Sequence, residues 1–199
     1  MGDSVTSTNH ILDLTDRYGE AHRHYHTLTH IAAMFAKAKE VGADLSEEQI
    51  IAVWYHDAVY VPGAHDNEVK SAVLAVEAMA TLLLNGRPRQ KSLLTVEQIV
   101  LSTRDHAPLC EAAEVVIDLD LSILAAPLGD GYWTYVGDIR KEYAAATEEQ
   151  WCAGRVAFLS KFLERPRLFY TAWGADMEKA ARDNMGDEVK FYAMAGNRR

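Results

Sequence analysis

Apolar residues recur along this chain at intervals of three and four almost from end to end. That spacing lines one face of a 3.6-residue helix, whereas a half-buried strand alternates at every second position. The first such pattern covers about 6 to 18, with Ile11, Leu12, Leu14 and Tyr18 as its apolar positions. The second covers about 24 to 41 and is ended by Gly42. A third opens on Ser46 as N-cap with two glutamates in the first turn, runs to about Tyr60 and is stopped by "VPGAHD". Helices follow at about 67 to 84, stopped by "NGRPR", and at about 94 to 103. The alanines and leucines of "EAAEVVIDLDLSILAA" favour a helix, although its "VVIDLDLSI" core carries β-branched residues that favour a strand. Two more helices fill about 129 to 147 and 149 to 163, broken near Pro166, and a last one at about 173 to 195 trails into "GNRR". There is no strand–turn–strand pattern, internal repeat or low-complexity linker. The pattern predicts an all-α fold, a single-domain bundle of about eight or nine helices.

Composition narrows the class. A chain of 199 residues, 49% hydrophobic and 25% charged, can bury a sizeable core in one domain without disulfides. Its two cysteines, Cys110 and Cys152, have no paired spacing. That excludes a disulfide scaffold and a cysteine zinc site and suits a reducing, cytoplasmic setting. No basic segment followed by an apolar run opens the sequence, and no apolar run approaches the roughly 18 residues that a membrane span needs. The net charge of −9 argues against an extended nucleic-acid face. It does not exclude a small phosphorylated substrate, because local cations or a bound metal can reverse the field within a pocket.

The polar residues that break the apolar pattern carry the candidate chemistry. In "WYHDAVY", His56 and Asp57 are neighbours about 100° apart on a helix, so both approach one point only if it lies between their two directions. A metal ion at that point would accept both, since imidazole nitrogen and carboxylate oxygen ligate first-row divalent ions. A buried His–Asp pair with no ion is the plainer alternative. In "RHYHTLTHI", His26 and His30 lie four apart and should share a helix face, with Thr27 and Thr29 beside them, while His22 and His24 are read as solvated. Asp118 and Asp120 interrupt the apolar run Val115 to Leu124, and carboxylates are rarely buried unless paired or bound to a cation. His106 ends a helix in "LSTRDHAP".

Taken in order, His, His-Asp, His and Asp spread over four helices resemble the HD superfamily of metal-dependent phosphohydrolases. The blocks "RHYHTLTHI", "WYHDAVY", "HDNEVKSA", "DLDLSIL", "IRKEY" and "GRVAFLSKFL" are more closely similar to a bacterial subgroup described only as predicted HD phosphohydrolases, over about residues 16 to 190. The resemblance implies a metal-binding core at about 16–125, with C-terminal helices at 129–195 packed on it. It implies one divalent ion (Mn, Fe, Co, Ni, Zn or Mg) held by His30 rather than His26, by His56 and Asp57, and by Asp120, with Asp118 the alternative. It implies hydrolysis of a phosphate ester of a small molecule or nucleotide, and by analogy a homodimer.

Charge developing on the phosphate calls for fixed cations and donors. Candidates are Arg23, His26 and His106, with Arg140 and Arg155 further along, although charges on helices are more often simply solvated. For acid–base work "HDNE" offers Asp66 and Glu68; the resemblance favours Glu68, because related subgroups place a catalytic acidic residue shortly after the doublet, and an Asx turn capping the next helix would explain Asp66 and Asn67 without catalysis. Two other readings compete: a non-catalytic sensor that keeps the metal and binds a nucleotide, and an HD-fold di-iron oxygenase, which needs more ligands than these.

Overall fold

The computed structural model describes residues 12–82, 90–129 and 131–196, and their regular structure is entirely helical. The expected helical residues 6–11 and the "NGRPR" stop lie outside the described residues. In chain order the helices are α1 (12–18), α2 (Leu28–Glu40), α3 (Glu47–Tyr55), α4 (Asn67–Leu82), α5 (Gln90–Thr103), α6 (Glu111–Leu121), a 3₁₀ turn (Ser122–Ala125), α7 (Tyr132–Glu142), α8 (Glu148–Leu163), α9 (Ala172–Ala175) and α10 (Glu178–Gly196). None of the described helices is long and apolar enough to cross a membrane.

Local chemistry sets most boundaries. Ser46 and Gln49 close a reciprocal capping box at the head of α3, and Thr147 and Gln150 do the same for α8. The helix expected at 129 to 147 is shortened to α7, because Arg140 takes the Tyr143 and Ala146 carbonyls at 2.9 and 3.2 Å and turns the chain toward the next cap. The helix expected at 173 to 195 is split into α9 and α10. Glu178, at the head of α10, accepts from the Leu168 and Phe169 amides at 2.9 and 3.3 Å and ion-pairs with Arg182. In α6 burial overrides the β-branched bias. Val116 and Ile117 are fully buried, about 1.5–3 kcal/mol each, against a helix-propensity deficit of up to roughly 0.7 kcal/mol per residue.

The chain divides into two compact units, Met1–Leu119 and Asp120–Arg199, and the division falls inside α6. In the first unit α5 packs on α3 and α4, and α2 lies on α3. Buried Ala72, Ala75 and Ala78 keep α4 slim where its neighbours approach, with Ile31, Met34, Val53, Met79 and Ile99 filling the core.

The second unit packs α10 against α8 and the 3₁₀ turn. It encloses a buried ion pair: Arg155 donates from Nε and Nη2 to the Glu188 carboxylate at 2.7 and 3.2 Å, and the Tyr132 hydroxyl donates to the same carboxylate at 2.6 Å. Burial first, and the Glu188 charge second, push the Tyr132 phenol far above its ordinary range. Burial opposes the charge on Arg155, but Tyr135 and Glu188 outweigh it and hold the guanidinium protonated.

Candidate metal centre

Two helix ends build the site. Thr27, in extended backbone, turns its hydroxyl to the Thr29 amide and starts α2 at Leu28 rather than near residue 24. His26 therefore precedes the helix, and the shared helical face expected of His26 and His30 does not form. His30 sits in the first turn of α2, buried beside Ile31 and Met34. The other end is the C-terminus of α3, which stops at Tyr55 instead of continuing to Tyr60 and leaves His56 and Asp57 at its tip. Orphan carbonyls at such a tip need donors. Tyr18 Oη supplies one, donating to the Trp54 carbonyl at 2.9 Å, and His22 Nε2 donates to the Tyr60 carbonyl in the loop beyond at 2.8 Å. Asn67 and Ser71 of α4 fasten the exit, bonding both backbone groups of Val61 and the Val59 amide.

These ends bring three electron-rich atoms together. Nε2 of His30 lies 3.3 Å from Nε2 of His56, which lies 3.0 Å from Oδ2 of Asp57, and His30 Nε2 stands 4.0 Å from that oxygen. His56 Nδ1 is 3.0 Å from the Val53 carbonyl, which can only accept, so Nδ1 carries the proton. Its Nε2 then faces both His30 Nε2 and the Asp57 carboxylate. Imidazole nitrogen and carboxylate oxygen together can ligate a divalent cation. From the three separations, the point equidistant from the three atoms lies about 2.0 Å from each, against about 2.0–2.2 Å for first-row ions on nitrogen and oxygen ligands. The donor set and its spacing therefore fit a divalent ion, and the three groups together could hold one. The Nδ1–carbonyl bond fixes the tautomer and ring orientation, as partners of ligating histidines do.

His26 flanks this cluster. Its Nε2 is 3.9 Å from Asp57 Oδ2, and its ring lies against Tyr60 with centroids 4.1 Å apart. Tyr25 packs against both histidines, its ring 5.0 Å from that of His26 and 4.8 Å from that of His30. Tyr25 and Tyr60 were not singled out from the sequence, although each stands beside a motif, in "RHYH" and in "HDAVY".

The remaining expected residues fall elsewhere. Arg23 was a candidate phosphate contact, but its guanidinium is buried and engaged by Glu20 and by the His26, Asp57 and Ala58 carbonyls. Asp66 is exposed and ion-paired to Lys70 at 2.7 Å, a hydrogen bond that holds its carboxyl below the ordinary range. Glu68, half-buried in the first turn of α4, makes no hydrogen bond or ion pair among the described residues. His106 has left-handed backbone with φ of 48°, and the Ala107 amide bonds back to the Ser102 carbonyl at 3.2 Å. This is the helix-closing position where glycine is usual.

Asp118 belongs to the first unit and is fully buried in α6, while Asp120 opens the second unit, is partly exposed and acts electrostatically on Tyr135. Arg140 and Arg155 lie in the second unit. The Tyr143 and Ala146 carbonyls and Glu148 engage Arg140, and the Glu188 carboxylate engages Arg155.

No protein-family model, curated protein or solved structure matches this chain.

Proposed function

We propose that this protein is a metal-dependent phosphohydrolase of the HD type, cleaving a phosphate ester of a small molecule or nucleotide. The convergence of His30 Nε2, His56 Nε2 and Asp57 Oδ2 carries the reading. A divalent ion bound there supplies Lewis acidity and lowers the pKa of a coordinated water.

The fourth ligand in this reading is Asp118 rather than Asp120. Two residues apart on a helix, the two carboxylates point about 200° from each other, so one site takes only one of them. Asp118 shares the first unit with the three clustered groups and is fully buried, whereas Asp120 belongs to the second unit and is partly exposed. His26 provides a donor to a phosphoryl oxygen from its place beside Asp57, and His106 a second. Glu68 takes the proton of the attacking water and returns it to the leaving oxygen; no lysine or arginine ties its carboxylate down, unlike that of Asp66. In a chain of net charge −9 a cation at the cluster also offsets the repulsion that a phosphate would meet.

The test is turnover by the purified chain on nucleotides and phosphate monoesters with Mn, Co, Mg or Ni, together with metal analysis. Turnover that vanishes in His56→Ala and Glu68→Gln supports the hydrolase. Binding lost only in His56→Ala, without turnover in the native chain, identifies a sensor, and bound iron with visible absorption identifies an oxygenase. Neither metal nor turnover overturns the proposal.

A further inference from the structure

The segment before α2 places one buried cation directly behind the cluster. Arg23 Nη1 donates to the Asp57 carbonyl at 2.7 Å and to the His26 carbonyl at 3.2 Å, and Nη2 donates to the Ala58 carbonyl at 3.2 Å. Nε donates to Glu20 at 2.9 Å. The guanidinium carbon lies 5.1 Å from the centre of the Tyr18 ring and 5.5 Å from that of Tyr60. Its side chain is 0% exposed, whereas the Glu20 side chain is 44% exposed. The buried partners of this charge are therefore mainly backbone carbonyls, at the negative end of the α3 dipole.

We propose that Arg23 is the positioning residue of the centre: one guanidinium locks the backbone of His26 to that of Asp57 and Ala58 and so sets where the Asp57 carboxylate and the His26 ring stand. The physical reason lies in the planar fork of donors. Arginine bridges several oxygens at fixed geometry, whereas a lysine ammonium acts as a single compact charge. The three carbonyls come from two segments that are 34 to 35 residues apart from Arg23 on one side and 3 on the other. Arg23 thus acts through Asp57 and His26 and does not itself touch substrate.

The inference rests on the metal reading of the same cluster, and two measurements on the full chain keep the two apart. Cobalt(II) is titrated into Arg23→Lys and Arg23→Ala by visible absorption, with and without added guanidinium ion. Hydrogen exchange is followed in the metal-free proteins. The lysine variant keeps charge and most of the volume and is the one on which the proposal stands. We expect cobalt affinity to fall by about 10- to 100-fold, the range seen when partners of ligating residues are lost. We expect partial recovery of the alanine variant with guanidinium. Exchange at residues 20–27 and 56–61 should rise together by at least about tenfold, while that of 120–199 is unchanged. Cobalt affinity within twofold of native in the folded lysine variant, or no rise in exchange in the two segments, overturns the role of Arg23. Native protein that takes up no cobalt sinks the metal reading, and the exchange measurement still decides whether Arg23 joins the two segments. Failure of the alanine variant to fold leaves that decision with the lysine variant.

Discussion

Nε2 of His30 and Nε2 of His56 face each other across 3.3 Å, although 26 residues separate them in sequence. His56 already keeps its one neutral-state proton on Nδ1, so in the metal-free protein this gap is closed by a proton from His30 or by a second proton on His56. A cation replaces either arrangement and adds bonds to all three ligands.

Metal should therefore stabilise the fold. At a concentration 100 times Kd, binding to the native state alone adds about 2.7 kcal/mol. At roughly 2–4 °C per kcal/mol for a chain of this size, Tm should rise by about 5–10 °C with manganese or cobalt. His30→Ala and His56→Ala should each abolish the rise, while His26→Ala should retain most of it, since His26 is not among the three groups that converge. Scanning calorimetry with and without metal checks this. An equal rise in all three variants would place the ion elsewhere.

Part of this centre is legible in the sequence and part is not, for identifiable reasons. The His-Asp doublet is a covalent neighbour pair at the end of an apolar run, so its convergence needs little long-range information. The four-residue spacing of His26 and His30 presumes a helix through both, but Thr27 as N-cap starts that helix after His26. Asp118 and Asp120 look alike within an apolar run, and only burial separates them. Arg23 and Arg155 read as available cations because their partners, Asp57 and Glu188, stand 34 and 33 residues away. Helical class is carried by periodicity throughout the chain, but the stops at Glu142 and between α9 and α10 come from side-chain-to-backbone bonds that periodicity does not encode.

Asp118→Asn and Asp120→Asn should separate cleanly. The first removes a buried carboxylate of the first unit, the second a partly exposed one. Asp118→Asn should lower metal affinity by more than about 100-fold, beyond what losing a partner of a ligand costs, and Asp120→Asn by less than about threefold. Isothermal titration with manganese decides, and the reverse order would restore Asp120 as the ligand.

Glu68→Gln keeps size and hydrogen-bonding capacity but not basicity. If Glu68 moves the proton, kcat should fall by about 10²–10⁴-fold with metal affinity unchanged, whereas Asp66→Asn, which breaks only an exposed pair with Lys70, should leave kcat within about twofold. Steady-state kinetics at saturating metal compares them. Equal kinetics for Glu68→Gln and the native chain would remove the assignment.

The ion pair of the second unit makes a prediction about stability. Arg155→Met leaves the Glu188 carboxylate buried with, among the described residues, only the Tyr132 hydroxyl donating to it. Truncating one member of a buried pair typically costs about 3–5 kcal/mol. Replacing both members, Arg155→Met with Glu188→Leu, should recover most of that loss, because the packed apolar pair no longer carries an uncompensated charge. Urea denaturation measures both. A double variant as unstable as the single one would mean that the hydroxyl and ring partners around the pair, not its charges, hold these helices together.

Alkaline pH probes the core beside the doublet. Tyr55 is buried next to His56, and burial, with the nearby Asp13 charge second, pushes its phenol up to about 12. Its unfolded-state pKa is about 10. A group raised on folding leaves stability intact below the unfolded value; above it the unfolded chain releases its proton first, and stability falls with each further unit until the folded phenol also ionises. The loss from Tyr55 should therefore run from about pH 10 to about 12. Tyr55→Phe should flatten the decline in that window without changing its onset, since Tyr132, Tyr135 and Tyr192 are raised too and keep contributing. Urea midpoints between pH 8 and 12 resolve this. A Tyr55→Phe profile parallel to that of the native chain would show that the phenol ionises in the folded core as readily as in the open chain.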